Sequence, residues 1–268
     1  MASRKAEKER LRQERLARER ELAAAAHRRR MLQVYGGGAV AVVVAAIVVV
    51  VVVLGGSGSS GASGNGGSSA PKVATVPIKT LASVHPAPSP GPLGPEGIPI
   101  PPNAPPLASN SSSATGNTID GIQCNAGEKL VYHVHTHLTI FVNGSQRQIP
   151  YGIGIVPPRQ VQNTSSGPFV AGGSCFYWLH THAADGIVHI ESPSKRTYTL
   201  GNFFDIWHQP LSANQVGPVK GKVTAFYNGQ VYKDNPRDIP LGSHIQVQLD
   251  VGTPLIAPEK VSFGGTGL

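Results

Sequence analysis

Leu130-Val131-Tyr132-His133-Val134-His135-Thr136-His137-Leu138-Thr139-Ile140-Phe141-Val142 runs straight into Asn143-Gly144. Leu130, Tyr132, Val134, Thr136, Leu138, Ile140 and Val142 fall on one side of an extended chain. His133, His135, His137, Thr139 and Phe141 fall on the other. A period of two is the signature of a strand, and Asn-Gly is a type I′ hairpin turn. Working outward, residues 176–182 and 187–191 read as strands joined by Ala183-Ala184-Asp185-Gly186. Residues 222–227, Asn228-Gly229 and 231–232 form a further hairpin, and 244–251 is a last alternating strand. Only 202–208 reads as helix. The expectation is a mainly β domain over residues 119–268, an antiparallel sandwich or barrel-like arrangement with an internal hairpin repeat and one short helix.

The repeat pairs Thr139-Ile140-Phe141-Val142-Asn143-Gly144 with Thr224-Ala225-Phe226-Tyr227-Asn228-Gly229. It continues by pairing Ile149-Pro150-Tyr151-Gly152 with Ile239-Pro240-Leu241-Gly242. His135 and His137 fall opposite Lys220 and Lys222, so the same hairpin is built elsewhere in the chain without histidine.

Six of the ten histidines sit in two short clusters. His133, His135 and His137 share one strand face. His180 and His182 precede His189 and Glu191 across the turn. A two-residue turn at Asp185-Gly186 would set His182 opposite His189 and His180 opposite Glu191. A four-residue loop would set His180 opposite His189 and Trp178 opposite Glu191. The shift is even, so both registers keep the polar groups on one face. Polar sheet faces are ordinarily Thr, Ser, Lys and Glu. A face of imidazoles with one carboxylate suits a transition metal ion (Zn, Cu, Fe or Mn), with His133, His135, His137, His180, His182, His189 and Glu191 as candidate ligands. A proton-sensing cluster and an unliganded polar face are the competing readings. Asp185 reads as a turn residue and His244 as a solvated one. Cys124 and Cys175, the only cysteines, each precede one of the two clusters, by nine and five residues; outside a membrane they would pair as a disulfide, with metal ligation the alternative.

Four blocks, Tyr132-His133-Val134-His135-Thr136-His137-Leu138, Tyr177-Trp178-Leu179-His180-Thr181-His182, Gly186-Ile187-Val188-His189-Ile190-Glu191-Ser192-Pro193 and Leu200-Gly201-Asn202-Phe203-Phe204-Asp205-Ile206-Trp207, resemble those of an uncharacterised family of bacterial exported, membrane-anchored proteins. The resemblance spans residues 120–252. It implies the domain boundaries and no activity. His180-x-His182 is also similar to a cupin motif, but cupins place a carboxylate four or five residues later, and Glu191 is nine residues on.

The remaining chain places this domain. Residues 1–30 carry 11 Lys/Arg and 5 Asp/Glu, most of the net +8, and read as a charged cytoplasmic helix. The rest is nearly neutral, which disfavours nucleic-acid binding. Within 31–54, residues 34–54 are uncharged. As a helix they would reach about 32 Å at about 1.5 Å per residue, enough for a bilayer core. Arg28, Arg29 and Arg30 precede this run and no basic residue follows until Lys72, so the positive-inside rule puts the N-terminus in the cytoplasm and the rest outside. A cleaved signal peptide is the alternative. Residues 55–70 are Gly/Ser-rich, and 71–106 hold 12 of the 23 prolines; with the polar stretch after them, 55–118 reads as an extended linker or stalk. The functional expectation is a single-pass anchored, extracytoplasmic metal-handling or metal-sensing domain whose partners are the lipid bilayer and a metal ion. A metal-dependent hydrolase or oxidoreductase and a metal-free cell-envelope interaction module are the alternatives.

Overall fold

A computed structural model describes residues 73–110 and 115–268, which lie within the compact unit Ser69–Leu268. The strands in chain order are β1 (Thr75–Val76), β2 (Cys124–Asn125), β3 (Tyr132–Val142), β4 (Ser145–Arg147), β5 (Gln160–Thr164) and β6 (Gly167–Gly172). They continue with β7 (Phe176–Tyr177), β8 (Leu179–His180), β9 (Ile187–Ser192) and β10 (Tyr198–Thr199). After the helix α1 (Leu200–Ile206) come β11 (Leu211–Ser212), β12 (Gln215–Val216), β13 (Val219–Lys220), β14 (Val223–Tyr227) and β15 (Gln230–Tyr232). The last two are β16 (Pro240–Leu241) and β17 (Ile245–Val251).

The main sheet runs β1-β15-β14-β17-β3-β9-β8, with β4 folded back on β3. Both predicted Asn-Gly hairpins form. Asn143 and Gly144, and Asn228 and Gly229, all have positive φ, and the turns pair Val142 with Ser145 and Tyr227 with Gln230. The mainly β expectation holds. Two of its details do not. The sheet is open, with β1 and β8 at its edges, so no barrel closes. It is also mixed rather than antiparallel, because β17 lies parallel to β3 with Leu249 opposite Ile140. Side-chain alternation is the same in both kinds of ladder, so the pattern carried no information about strand direction.

One face of the sheet is the core. Leu138, Ile140, Leu179, Val188, Ile190, Ala225, Val247 and Leu249 pack against Leu200, Phe203, Phe204 and Trp207 from α1 and its end. The helix starts where a capping box allows. The Thr199 hydroxyl accepts from the Asn202 N–H, and the Asn202 side chain accepts from the Thr199 N–H. Positions 200, 203, 204 and 207 fall on one helical stripe, and the Trp207 indole N–H donates to the Ser109 carbonyl.

The other face carries the histidines, and it is covered too. The sequence placed 55–118 outside the domain. Residues 73–110 instead lie on it: β1 pairs with β15, Leu107 N–H donates to the Gln148 carbonyl, and Ile98 and Leu107 are buried. A proline-rich chain is extended, but nothing in that prevents its few large apolar side chains from docking. The expected anchor over 31–54, the charged segment 1–30 and residues 55–72 fall outside the described residues. Among the described residues no helix is long and apolar enough to cross a membrane.

Candidate metal centre

Three adjacent strands bring the clusters together. β9 is the middle one: His135 and His180 stand opposite His189 on its two sides, and His133 stands opposite Glu191. This is the register of the longer loop, with Trp178 beside Glu191. The predicted strand over 176–182 is interrupted at Trp178 and ends at His180, so His182 needs another support. Residues 152–154 supply it. Thr181 N–H donates to the Ile153 carbonyl, Ile153 N–H to the Thr181 hydroxyl, and Gly152 N–H to the Thr181 carbonyl. Gly154 has φ +72°, and a Cβ there would stand 2.3 Å from the Leu179 carbonyl oxygen. Only glycine permits this approach behind the two imidazoles. Cys124 and Cys175 are disulfide-bonded, tying β2 to the entry of β7, as expected.

The ligand atoms converge. His133, His135, His189 and Glu191 form one group, and His180, His182, His189 and Glu191 another, each with its atoms within 4.8 Å of one another. The His133 and His135 Nε2 atoms are 3.0 Å apart, and those of His180 and His182 are 3.1 Å apart. Two imidazole nitrogens sharing one zinc ion at about 2.0–2.1 Å lie about 2.9–3.4 Å apart, so both pairs have the separation of neighbouring ligands.

The tautomers matter here. His180 Nδ1–H donates to the Tyr177 carbonyl at 2.9 Å, and His182 Nδ1–H to the Val170 carbonyl at 2.5 Å. A carbonyl only accepts, so each neutral ring presents an unprotonated Nε2 to the other. Two lone pairs at 3.1 Å repel unless a cation lies between them. Burial pushes both imidazoles below their usual range, which disfavours a proton in that role. Backbone carbonyls holding Nδ1 are the usual outer support of metal-binding histidines. Phe169 stacks on His182, with ring centroids 4.9 Å apart.

The electrostatics divide the cluster. Burial holds His135 down to about 3, with the neighbouring His189 and His133 adding to the effect. His189 goes the other way. Burial opposes its charge, but the carboxylates of Glu96 and Glu191 outweigh that and push it up to about 10. Its Nε2 donates to Glu96 Oε1 at 2.7 Å and its Nδ1 to Glu191 Oε1 at 3.3 Å. Burial alone would raise Glu191; hydrogen bonds from His133 and His189 bring it far below the usual carboxylate range. Among the described residues, Glu191 Oε2 is buried without a hydrogen-bond partner, 4.0 Å from His180 Nε2.

His137 stands apart. Its Nε2 donates to the Asp185 carbonyl at 3.0 Å, and it lines a separate cavity of about 330 Å³ with Thr139, Asp185 and Glu259. Asp185 is a turn residue, as expected: its carboxylate accepts from Ile187 N–H. His244 bonds the Leu268 carbonyl at the surface. Two carboxylates went unread in the sequence. Glu128 lies 3.4 Å from His182 Nε2. Glu96 comes from the proline-rich segment, where the turn Gly94-Pro95-Glu96-Gly97, closed by Gly97 N–H on the Gly94 carbonyl, delivers it to His189. It is the only acidic residue between 71 and 118, a signal visible only once that segment is counted as part of the domain. Glu96, Glu128, His133, His135, His182, His189 and Glu191 line a cleft of about 420 Å³.

No protein-family model, curated protein or solved structure matches this chain. The site is therefore read from its own geometry: buried His/Glu groups able to hold a metal ion.

Proposed function

We propose that this chain binds a transition metal ion through His133, His135, His180, His182, His189 and Glu191, as the working site of a membrane-anchored, extracytoplasmic domain that handles or senses metal. The observation that carries this is the His180–His182 pair, whose Nδ1 atoms are fixed by carbonyls and whose Nε2 lone pairs face each other at 3.1 Å. Imidazoles with a carboxylate suit Zn, Cu, Fe or Mn. The cleft adds to it: among the described residues it is lined by the carboxylates of Glu96, Glu128 and Glu191 and by no lysine or arginine, an environment that draws in cations. The uncharged run 34–54, preceded by Arg28, Arg29 and Arg30, supports the anchor and its orientation, and the Cys124–Cys175 disulfide fits an oxidising compartment.

The same cleft favours a second reading, a metal-dependent hydrolase or oxidoreductase, because it gives a small molecule a route to the ion. Elemental analysis of the full-length chain after metal loading and dialysis tests the shared core of both. Stoichiometric metal is expected in the parent chain and a large loss in His180→Ala. A parent chain that retains no metal contradicts both readings.

A further inference from the structure

The geometry points to a centre for two metal ions bridged by Glu191, rather than a single ion. This rests on the metal-binding reading above and goes beyond it in the number and arrangement of ions.

The six side chains do not surround one point evenly. Four of them form two Nε2 pairs, His133 with His135 and His180 with His182, each closed to ligand-to-ligand distance. His133 and His135 stand on β3 to one side of β9; His180 ends β8 on the other side, and His182 follows just beyond it. Glu191 stands on β9 between them. Its Oε1 lies 3.0 Å from His133 Nε2, while its Oε2 faces the other pair, 4.0 Å from His180 Nε2, and has no hydrogen-bond partner among the described residues. One carboxylate therefore offers one oxygen to each pair. The two four-residue groups share only His189 and Glu191, the two members that β9 contributes.

A carboxylate spanning two ions suits the separation of about 3.5–4 Å found in two-metal sites. Charge points the same way. Two divalent ions bring four positive charges, and Glu191, Glu96 and Glu128 all lie against the cluster to offset three of them. A single ion held by the first pair would leave the His180 and His182 lone pairs still opposed. Glu128, 3.4 Å from His182 Nε2, stands ready as a further ligand for the ion of the second pair.

The test is stoichiometry. The full-length chain is freed of metal with chelator, then titrated with zinc in equilibrium dialysis and assayed by elemental analysis. Two equivalents are expected in the parent chain and one in each double variant, His133→Ala/His135→Ala and His180→Ala/His182→Ala, with circular dichroism checking that each still folds. Loading with cobalt(II) gives an independent readout: magnetic coupling between two ions in the parent chain, lost in either double variant and weakened in Glu191→Gln. One equivalent in the parent overturns the two-ion centre and leaves metal binding standing. None overturns both. Two equivalents that persist in both double variants, or two uncoupled cobalt ions, place the second ion elsewhere and also overturn it.

Discussion

His135 and His137 show what burial does to an imidazole with no carboxylate bonded to it. Their values are held down to about 3 and about 4, against about 6.5 in an unfolded chain. Between those limits the unfolded chain takes up protons that the folded chain refuses, so stability falls with falling pH. His189 has the opposite sign: raised to about 10 by its carboxylates, it contributes fully below about 6.5 and its contribution fades as pH climbs toward 10. The metal-free chain is therefore expected to be most stable near neutrality. Urea midpoints should drop between about pH 6.5 and 4; a flat profile there would contradict the buried, neutral state of these rings. The common face of the histidines was legible in the sequence because a strand's period is two whatever its neighbours do. Their register was not, since the two turn lengths differ by an even shift. The position of Glu96 was not either, because it is brought in by a turn far away in sequence.

At the scale of elements, the segment 152–155 decides whether the H-x-H motif is a site or only a pair of residues. β8 ends at His180, and beyond it the ladder no longer fixes side-chain direction. Backbone contacts to Thr181 take over, and they need the close approach at Gly154. Gly154→Ala would set a methyl against the Leu179 carbonyl and, at 3.0 Å, against His180 Cβ. The expected result is a loss of about 1–3 kcal/mol in stability and a fall in zinc affinity of roughly 10- to 100-fold, the range for outer supports of metal ligands. Unchanged affinity in isothermal titration would show that His180 and His182 are positioned by something else. Both Asn-Gly hairpins were legible in the sequence, because the I′ turn is a local device. The parallel partnership of β3 and β17 was not, because it follows from a connection of about a hundred residues and has no local signature.

For the described molecule as a whole, the proline-rich segment is the part most easily mistaken for a tether. It contributes Ile98 and Leu107 to buried positions and Glu96 to the histidine cluster. Burying each large apolar side chain is worth about 1.5–3 kcal/mol, so a fragment beginning at residue 119 should be less stable than one beginning at residue 69 by several kcal/mol. It should also lose Glu96, one of the two carboxylates that hold His189 protonated. Equal urea midpoints for the two fragments would mean that the segment rests on the domain without holding it. The disulfide acts at the same scale. It closes a 51-residue separation, and by loop entropy such a link stabilises by about 4 kcal/mol, which helps hold the entries of two ligand-bearing strands in place.

The measurement that tests metal binding most directly is X-ray absorption on the full-length chain loaded with zinc and dialysed. A first shell of nitrogen and oxygen at about 2.0–2.1 Å is expected, with the outer-shell scattering of several imidazoles, reduced in His180→Ala. Zinc that washes out on dialysis, or a retained shell without imidazole scattering, would contradict it.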